Sequence, residues 1–318
     1  MGKYILRRVL ISLLTIFIVS VLVFALVRLL PGDPAIVMLG EGATPEKVAA
    51  LRAELNLDKP YVKQYVLWVN DLIHGDFGTS VAYYHKEVAD MIPDKVIATL
   101  TLTVPALLIA IILGLFAGTI SALKRGSALD QTVTVLSTFG VGLPAFWIAI
   151  FLIFLFALKL KLLPTQGYVS PFVNFKDYIV RAILPIFCIS LSFLATITRQ
   201  TRSQMLEVLN QDYIRTARAD GIKESRIITK HAIKNAAIPL VSIISLMFRM
   251  LIGGTIVIEN VFNIPGIGAF ALTCLMKRDY ICVQAVTLIM AIVTVFGNLL
   301  ADIMYCIIDP RIRERWAK

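Results

Sequence analysis

Six apolar stretches of this chain are candidates to cross a lipid bilayer. At 1.5 Å of rise per residue, about 20 apolar residues span the hydrocarbon layer. The stretches are residues 9–27, 96–123, 132–158, 183–197, 238–258 and 281–308, the fourth being the shortest. The second contains Pro105 and the pair Gly114-x-x-x-Gly118; the third contains Gly140-Val-Gly-Leu-Pro144. Across 318 residues, 58% are apolar and 16% charged, with a mean hydropathy of +0.80. Soluble proteins run near 45–50% and about 25%. So little polar surface cannot cover a water-soluble sphere. A soluble enzyme, a disordered tail and a secreted disulfide scaffold are excluded. The first stretch follows Lys3, Arg7 and Arg8, as a signal peptide would. It is longer than a signal core, however, and ends in Arg28-Leu-Leu-Pro-Gly-Asp-Pro34 rather than a small-residue cleavage site, so it reads as a retained span.

The net charge of +10 is a topology signal. With the N-terminus inside, segments 1–8, 124–130, 199–237 and 309–318 hold 17 basic residues against 7 acidic ones. Segments 28–95, 159–181 and 259–280, with Glu259 set aside, hold 13 against 12. Basic residues concentrate on the cytoplasmic side of membrane proteins, so both termini are expected inside. Since this accounts for the whole surplus, nucleic acid is not expected as a partner.

Two loops exceed what a connection needs. In residues 31–95, Thr44-Pro45-Glu46 is a helix cap followed by proline at the first helical position, and predicts a helix to about Leu55. Tyr61, Tyr65, Trp68, Val69 and Leu72 recur at helical spacing and predict a second, amphipathic helix ending near His74-Gly75. Gly75-Asp-Phe-Gly78 is a turn. This insert reads either as a plain helical cap or as a docking surface for an outer partner. In residues 199–237, Met205, Leu206, Val208 and Leu209 carry the fourth span into the cytoplasm. A short helix, 212–219, then stops at Gly221, and a second, 224–237, leads to Pro239. An amphipathic element on anionic lipid would favour bulkier apolar residues than Ala217, Ala219 and Gly221. The segment reads instead as one that inserts into a partner.

Catalytic and metal signatures are missing from the sequence. It has no G-x-x-x-x-G-K-[ST], H-E-x-x-H or G-x-S-x-G. Cys188, Cys274, Cys282 and Cys306 form no C-x-x-C and read as small residues of membrane helices. His74, His85 and His231 share no ligand spacing with them, so no metal site is expected. Arg249 and Asp302 sit inside spans and Glu259 at an outer edge. Such charges are functional candidates by default, because each costs about 2.5–3.5 kcal/mol on an insertion scale. Arg249 lies about 15 Å and Asp302 about 9 Å from the inner helix ends. An Arg249–Asp302 pair between helices is therefore the preferred reading, and a place on a polar pathway the alternative.

Ordered motifs run through nearly the whole chain. They are L-P-G-D-P at 30–34, L-N-L-D-K-P at 55–60, H-G-D-F-G at 74–78, K-R-G-S at 124–127, D-Y-I-R-T-A-R-A-D-G at 212–221, H-A-I-K-N-A-A-I-P at 231–239, I-E-N-V-F-N-I-P-G-I-G at 258–268, R-D-Y at 278–280 and D-P-R-I-R at 309–313. In this series the chain resembles the first permease subunit of the dipeptide, oligopeptide and nickel class of ATP-binding-cassette importers. The resemblance implies an all-α polytopic membrane protein in a bacterial inner membrane: one permease domain over 1–318, with six transmembrane helices, both termini inside and a transmembrane core over 96–308. It also implies a helical extracytoplasmic insert over 31–95 and a cytoplasmic coupling loop over 199–237. The coupling residues by similarity are Asp212, Tyr213, Arg215, Thr216, Ala217, Ala219, Asp220 and Gly221. Arg215, Thr216 and Ala217 occupy the Glu-Ala-Ala positions of the wider superfamily, and Gly221 its glycine. Asp220 stands where the peptide branch often has lysine.

The implied partners are a second, related permease subunit, two ATPase subunits, an extracytoplasmic solute-binding protein and the lipid membrane. The chain itself would hold no cofactor, ATP and Mg²⁺ belonging to the ATPase subunits. Small peptides are the expected cargo, with nickel, nickel complexes and glutathione as alternatives. A passive channel would lack the long 199–237 loop, and a polytopic enzyme would need a catalytic set.

Overall fold

The computed structural model describes residues 2–29, 33–40, 44–80, 82–83 and 86–308. The first helix, α1 (Gly2–Leu29), runs unbroken through the first apolar stretch. Asp33 caps α2 (Pro34–Leu39) by accepting from the Ala35 amide at 2.9 Å. The expected cap at Thr44 is present: its Oγ1 accepts from the Lys47 amide at 3.4 Å and opens α3 (Pro45–Glu54). The second insert helix, α4 (Tyr61–Ile73), ends at His74. A short antiparallel hairpin, β1 (Thr79–Ser80) on β2 (Lys86–Glu87), pairs Thr79 with Glu87 and leads into α5 (Val88–Leu123).

Ser127 Oγ caps α6 (Ala128–Gly142), which is followed by α7 (Ala145–Leu152) and a π-helical stretch, Ile153–Lys159. The two halves meet at 104°, so the expected third span is broken rather than straight. The cause lies in Leu143-Pro144. A residue before proline is pushed out of the helical region, and Leu143 is extended at φ −84°, ψ 131°. The fourth apolar stretch, which looks short in sequence, is the middle of α8 (Phe175–Leu209). At about 50 Å this helix is longer than the hydrocarbon layer is thick, and Met205–Leu209 continue it without a break. Beyond it lie α9 (Asp212–Ala219), the single turn α10 (Glu224–Arg226), a π stretch Ile227–Ala232 and α11 (Ile233–Gly254). The chain closes with α12 (Ile256–Val261), α13 (Ile267–Met276) and α14 (Tyr280–Ile308).

Among the described residues, four helices are individually long and apolar enough to cross a membrane, and the number rises to six where each of two bent pairs counts as one span. Apolar side chains point outward along them; Leu10, Leu13, Leu14 and Phe17 of α1 are each more than half exposed. Each such side chain left in water forgoes about 1.5–3 kcal/mol of burial. The solvent that suits this surface is hydrocarbon.

The chain forms two compact units. The first contains residues 1–8, 100–264 and 297–318, and α8 is its axis. A Cβ on Gly118 of α5 would lie 2.5 Å from the Thr198 carbonyl oxygen and 2.6 Å from Thr201 Cβ. Gly114 stands equally close to Ile197, and Gly140 of α6 to Ala195. Small residues at these points let the helix backbones touch, which is how helices pack when lipid supplies no hydrophobic drive. The second unit contains residues 9–99 and 265–296. In it α1 and α4 meet through Phe24, Tyr65 and Trp68, with Ser20 Oγ 2.7 Å from the Tyr65 hydroxyl.

Candidate functional site

The segment after α8 builds an exposed platform on an apolar base. Ile214 and Ala217, on one face of α9, pack against Ile227 and Ile222, and Ile214 and Ile227 are fully buried. Asp212, Tyr213, Arg215, Thr216, Ala219, Asp220 and Gly221 remain exposed. Ala217 therefore faces inward, a correction to the expectation that it offers close approach to a partner. Its small side chain instead lets α9 lie against the π stretch, and only Ala219 supplies that property on the outer face. Gly221 turns the chain at φ +73° in the left-handed region, where a side chain is strained. Nothing lies within 4 Å of where its Cβ would be. Within this chain, the position is constrained by backbone conformation and not by crowding.

Polar contacts brace the platform. Arg218 donates to both oxygens of Glu224, from Nε at 3.1 Å and Nη2 at 2.6 Å. That pairing lowers the Glu224 pKa and raises that of Arg218. Asn235 Nδ2 donates to the Tyr213 hydroxyl at 3.0 Å, tying α9 to α11. At the foot of α8, Asp130 is nearly buried and accepts four hydrogen bonds. They come from Ser121 Oγ at 2.5 Å, Arg202 Nε at 2.6 Å, Arg202 Nη2 at 2.9 Å and the Gly126 amide at 2.9 Å. The K-R-G-S motif thus supplies a helix cap and an anion-holding amide. The Asp130–Arg202 clamp escapes sequence reading because its members are 72 residues apart.

Two of the three intramembrane charges have partners among the described residues. Asp302 Oδ2 meets Arg8 Nη1 at 2.8 Å, so the carboxylate is held by the basic N-terminal segment. The Arg249 side chain lies outside the described residues, and so does the expected Arg249–Asp302 pair. Glu259 is fully buried within the protein, and its Oε1 accepts from Thr255 Oγ1 at 3.1 Å. Among the described residues, no group of three or more His, Cys, Asp or Glu side chains has metal-holding geometry.

With this geometry in place, comparison with known proteins is specific. Residues 111–314 match the family described as the binding-protein-dependent transport system inner membrane component, and residues 1–103 match its N-terminal companion. The chain belongs to this family. It is a membrane-embedded permease subunit of the ATP-binding-cassette class, not an enzyme. A probable peptide ABC transporter permease of Sinorhizobium fredii is 38% identical over 313 residues, covering 98% of this chain and all of that one. The oligopeptide transport system permease protein AppB of Bacillus subtilis is 37% identical over 314 residues, with 98% and 99% coverage. A putative peptide permease of Brucella suis is 38% identical over 317 residues, with 98% and 99% coverage.

In the permease's other unit, the R-D-Y motif has a structural task. Asp279 is buried and accepts from Ser80 Oγ at 2.5 Å, the Ala82 amide at 3.0 Å and the Cys282 amide at 3.2 Å. It fastens the β1–β2 hairpin to the start of α14. The motif alone gives no sign of this role, because Ser80 and Asp279 are 199 residues apart.

Proposed function

We infer that this permease forms, with a second related permease subunit, the membrane path of an importer driven by two ATPase subunits. An extracytoplasmic binding protein delivers the solute, and small peptides are the cargo suggested by the relatives' names. All six spans cross the bilayer with both termini inside; residues 31–95 lie outside, where they meet the binding protein. The permease binds no cofactor of its own, and ATP and Mg²⁺ stay with the ATPase subunits.

The observation that carries this reading is the platform at α9. Its polar face is open, its base is locked by Ile214 and Ile227, and it is joined to α8 on one side and α11 on the other. A helix so braced moves as a lever. Closure of an ATPase pair around it would tilt α8 and α11 together and switch the path between inward and outward opening. Gly221→Val tests this. It forces a β-branched residue into left-handed backbone at a cost of about 1–3 kcal/mol, local to a loop outside the bilayer. The variant should insert in the membrane but lose ATPase retention or couple hydrolysis poorly to uptake. Normal uptake with normal ATPase retention would refute the coupling role. Single cysteines at Thr79 and Ser225, in a cysteine-free background, test orientation: an impermeant reagent should reach only the first in intact cells.

A further inference from the structure

The unit containing residues 9–99 and 265–296 encloses a cavity of about 290 Å³ that the transport cycle above does not use. It lies where α1 ends and α14 begins. Arg28, in the last turn of α1, and Gln284, in the second turn of α14, both line it. At about 30 Å³ per water molecule the space equals some ten waters, enough for a headgroup or a single amino acid.

Its polar lining includes a cation, a buried amide and three carboxylates. Arg28 spends its Nε on Gln64 Oε1 at 3.0 Å, and among the described residues no carboxylate pairs with its guanidinium. Gln284 is 95% buried by the measure of its 5% exposure, and its Nε2 has no hydrogen-bond partner. A buried donor left unmade is costly, so a group that accepts from it is favoured there. Three carboxylates, Glu54, Asp71 and Asp76, line the same cavity and are exposed. One oxygen of Asp76 already accepts from the Gly78 amide. Donors in the recess and carboxylates open to solvent suit a ligand with an anion at one end and an N–H cation at the other.

We propose that this cavity binds a small zwitterion, in which an anionic group taken by Arg28 and Gln284 stands a few ångströms from a primary ammonium taken by the carboxylates. The same chemistry is found in a phosphoethanolamine lipid headgroup and in a free amino acid. The position at the ends of two spans suits the first source, and the opening to solvent suits the second.

The test uses the assembled transporter in phosphatidylcholine nanodiscs, read by thermal unfolding. Phosphatidylethanolamine is added to the bilayer in one arm; glycerophosphoethanolamine and alanine are titrated in two others. At least one of these should raise the unfolding temperature, while glycerophosphocholine, whose quaternary nitrogen has no N–H, should not. A response to the lipid alone assigns the headgroup, and one to alanine alone assigns the free amino acid. Gln284→Leu removes the unpaired amide and should leave the unliganded protein at least as stable, yet weaken the response tenfold or more. Asp71→Asn should weaken it in the same direction. No response in any arm would overturn the proposal. So would an undiminished response in Gln284→Leu, or glycerol phosphate acting as well as glycerophosphoethanolamine.

Discussion

Replacing Asp130 with asparagine keeps the shape of the side chain and removes the charge that holds α6 to α8. The carboxylate accepts four hydrogen bonds, two of them from the Arg202 guanidinium. An amide offers one oxygen, and its nitrogen would point donors at donors. Oδ1 accepts from Ser121 and Arg202 Nε and Oδ2 from Gly126 and Arg202 Nη2, so whichever position the amide oxygen takes, one bond to Arg202 is lost, worth about 1.5–3 kcal/mol because one partner is charged. Removing one member of a buried ion pair costs about 3–5 kcal/mol. The Arg202 side chain is 28% exposed against 5% for Asp130, so the orphaned cation can reach water. That places the expected loss near the lower bound, about 3 kcal/mol, or roughly two decades in the unfolding equilibrium.

The assay is denaturant titration of the reconstituted transporter, followed by helicity. Asp130→Leu combined with Arg202→Met removes both charges and should recover half or more of the loss, since apolar replacement of a buried pair is often neutral. An Asp130→Asn variant within about 0.5 kcal/mol of the parent would refute the reasoning. A double variant as unstable as the sum of the two singles would refute it as well. Arg202 lies seven residues, about 10 Å, before the end of α8. A loosened clamp should therefore also reduce uptake per ATP hydrolysed at temperatures where the protein remains folded.

Gly118→Ala should destabilise by about 1–3 kcal/mol, because the new Cβ meets a backbone oxygen at 2.5 Å and the helices must separate; parental stability in the same titration would contradict the close α5–α8 contact. Arg8→Ala and Asp302→Ala should each lower the yield of folded complex, and a double-mutant cycle should show coupling of about 1 kcal/mol or more for this half-buried pair; simple additivity would deny the pair an energetic role. The Glu224 pKa is lowered in the folded chain by Arg218, so its stabilisation is present above the ordinary carboxylate pKa and lost as pH falls through the lowered value. Both groups are about half exposed and solvent-screened, so the effect should stay under about 1 kcal/mol. Hydrogen exchange at residues 220–223 should quicken a few-fold on acidification in the parent but not in Glu224→Gln, and a pH response in that variant would dismiss the pairing.

Features encoded by neighbouring residues were legible in the sequence. The Thr44 cap, the stop of α4 at His74, the continuation of α8 through Leu209 and the α9–Gly221 unit all follow from signals within a few positions of one another. Apolar runs located the six candidate spans for the same reason. Hydropathy has no directional content, however. The 104° bend at Leu143-Pro144 was written in the proline, yet the composition of the run on either side is what a straight span would have.

The polar anchors show the complementary limit. Asp130 and Arg202, Ser80 and Asp279, and Arg8 and Asp302 are each joined across scores to hundreds of residues. A charge in an apolar run announces that it needs a partner but not which one. Arg8 counts in the sequence among the residues that orient the chain, and nothing near it in the sequence marks it as a partner of Asp302. Depth fixes a position along the membrane normal and leaves the helix face free, so several cations satisfy it equally. Ala217 shows the same limit on a smaller scale. Small size permits close approach on either side of α9, and only the isoleucines opposite decide that the side is the protein's own. The part of the site a partner would read is therefore set by which residues the fold leaves over: Tyr213, Arg215, Thr216, Ala219 and Asp220, carried on a face whose reverse is already spent on packing.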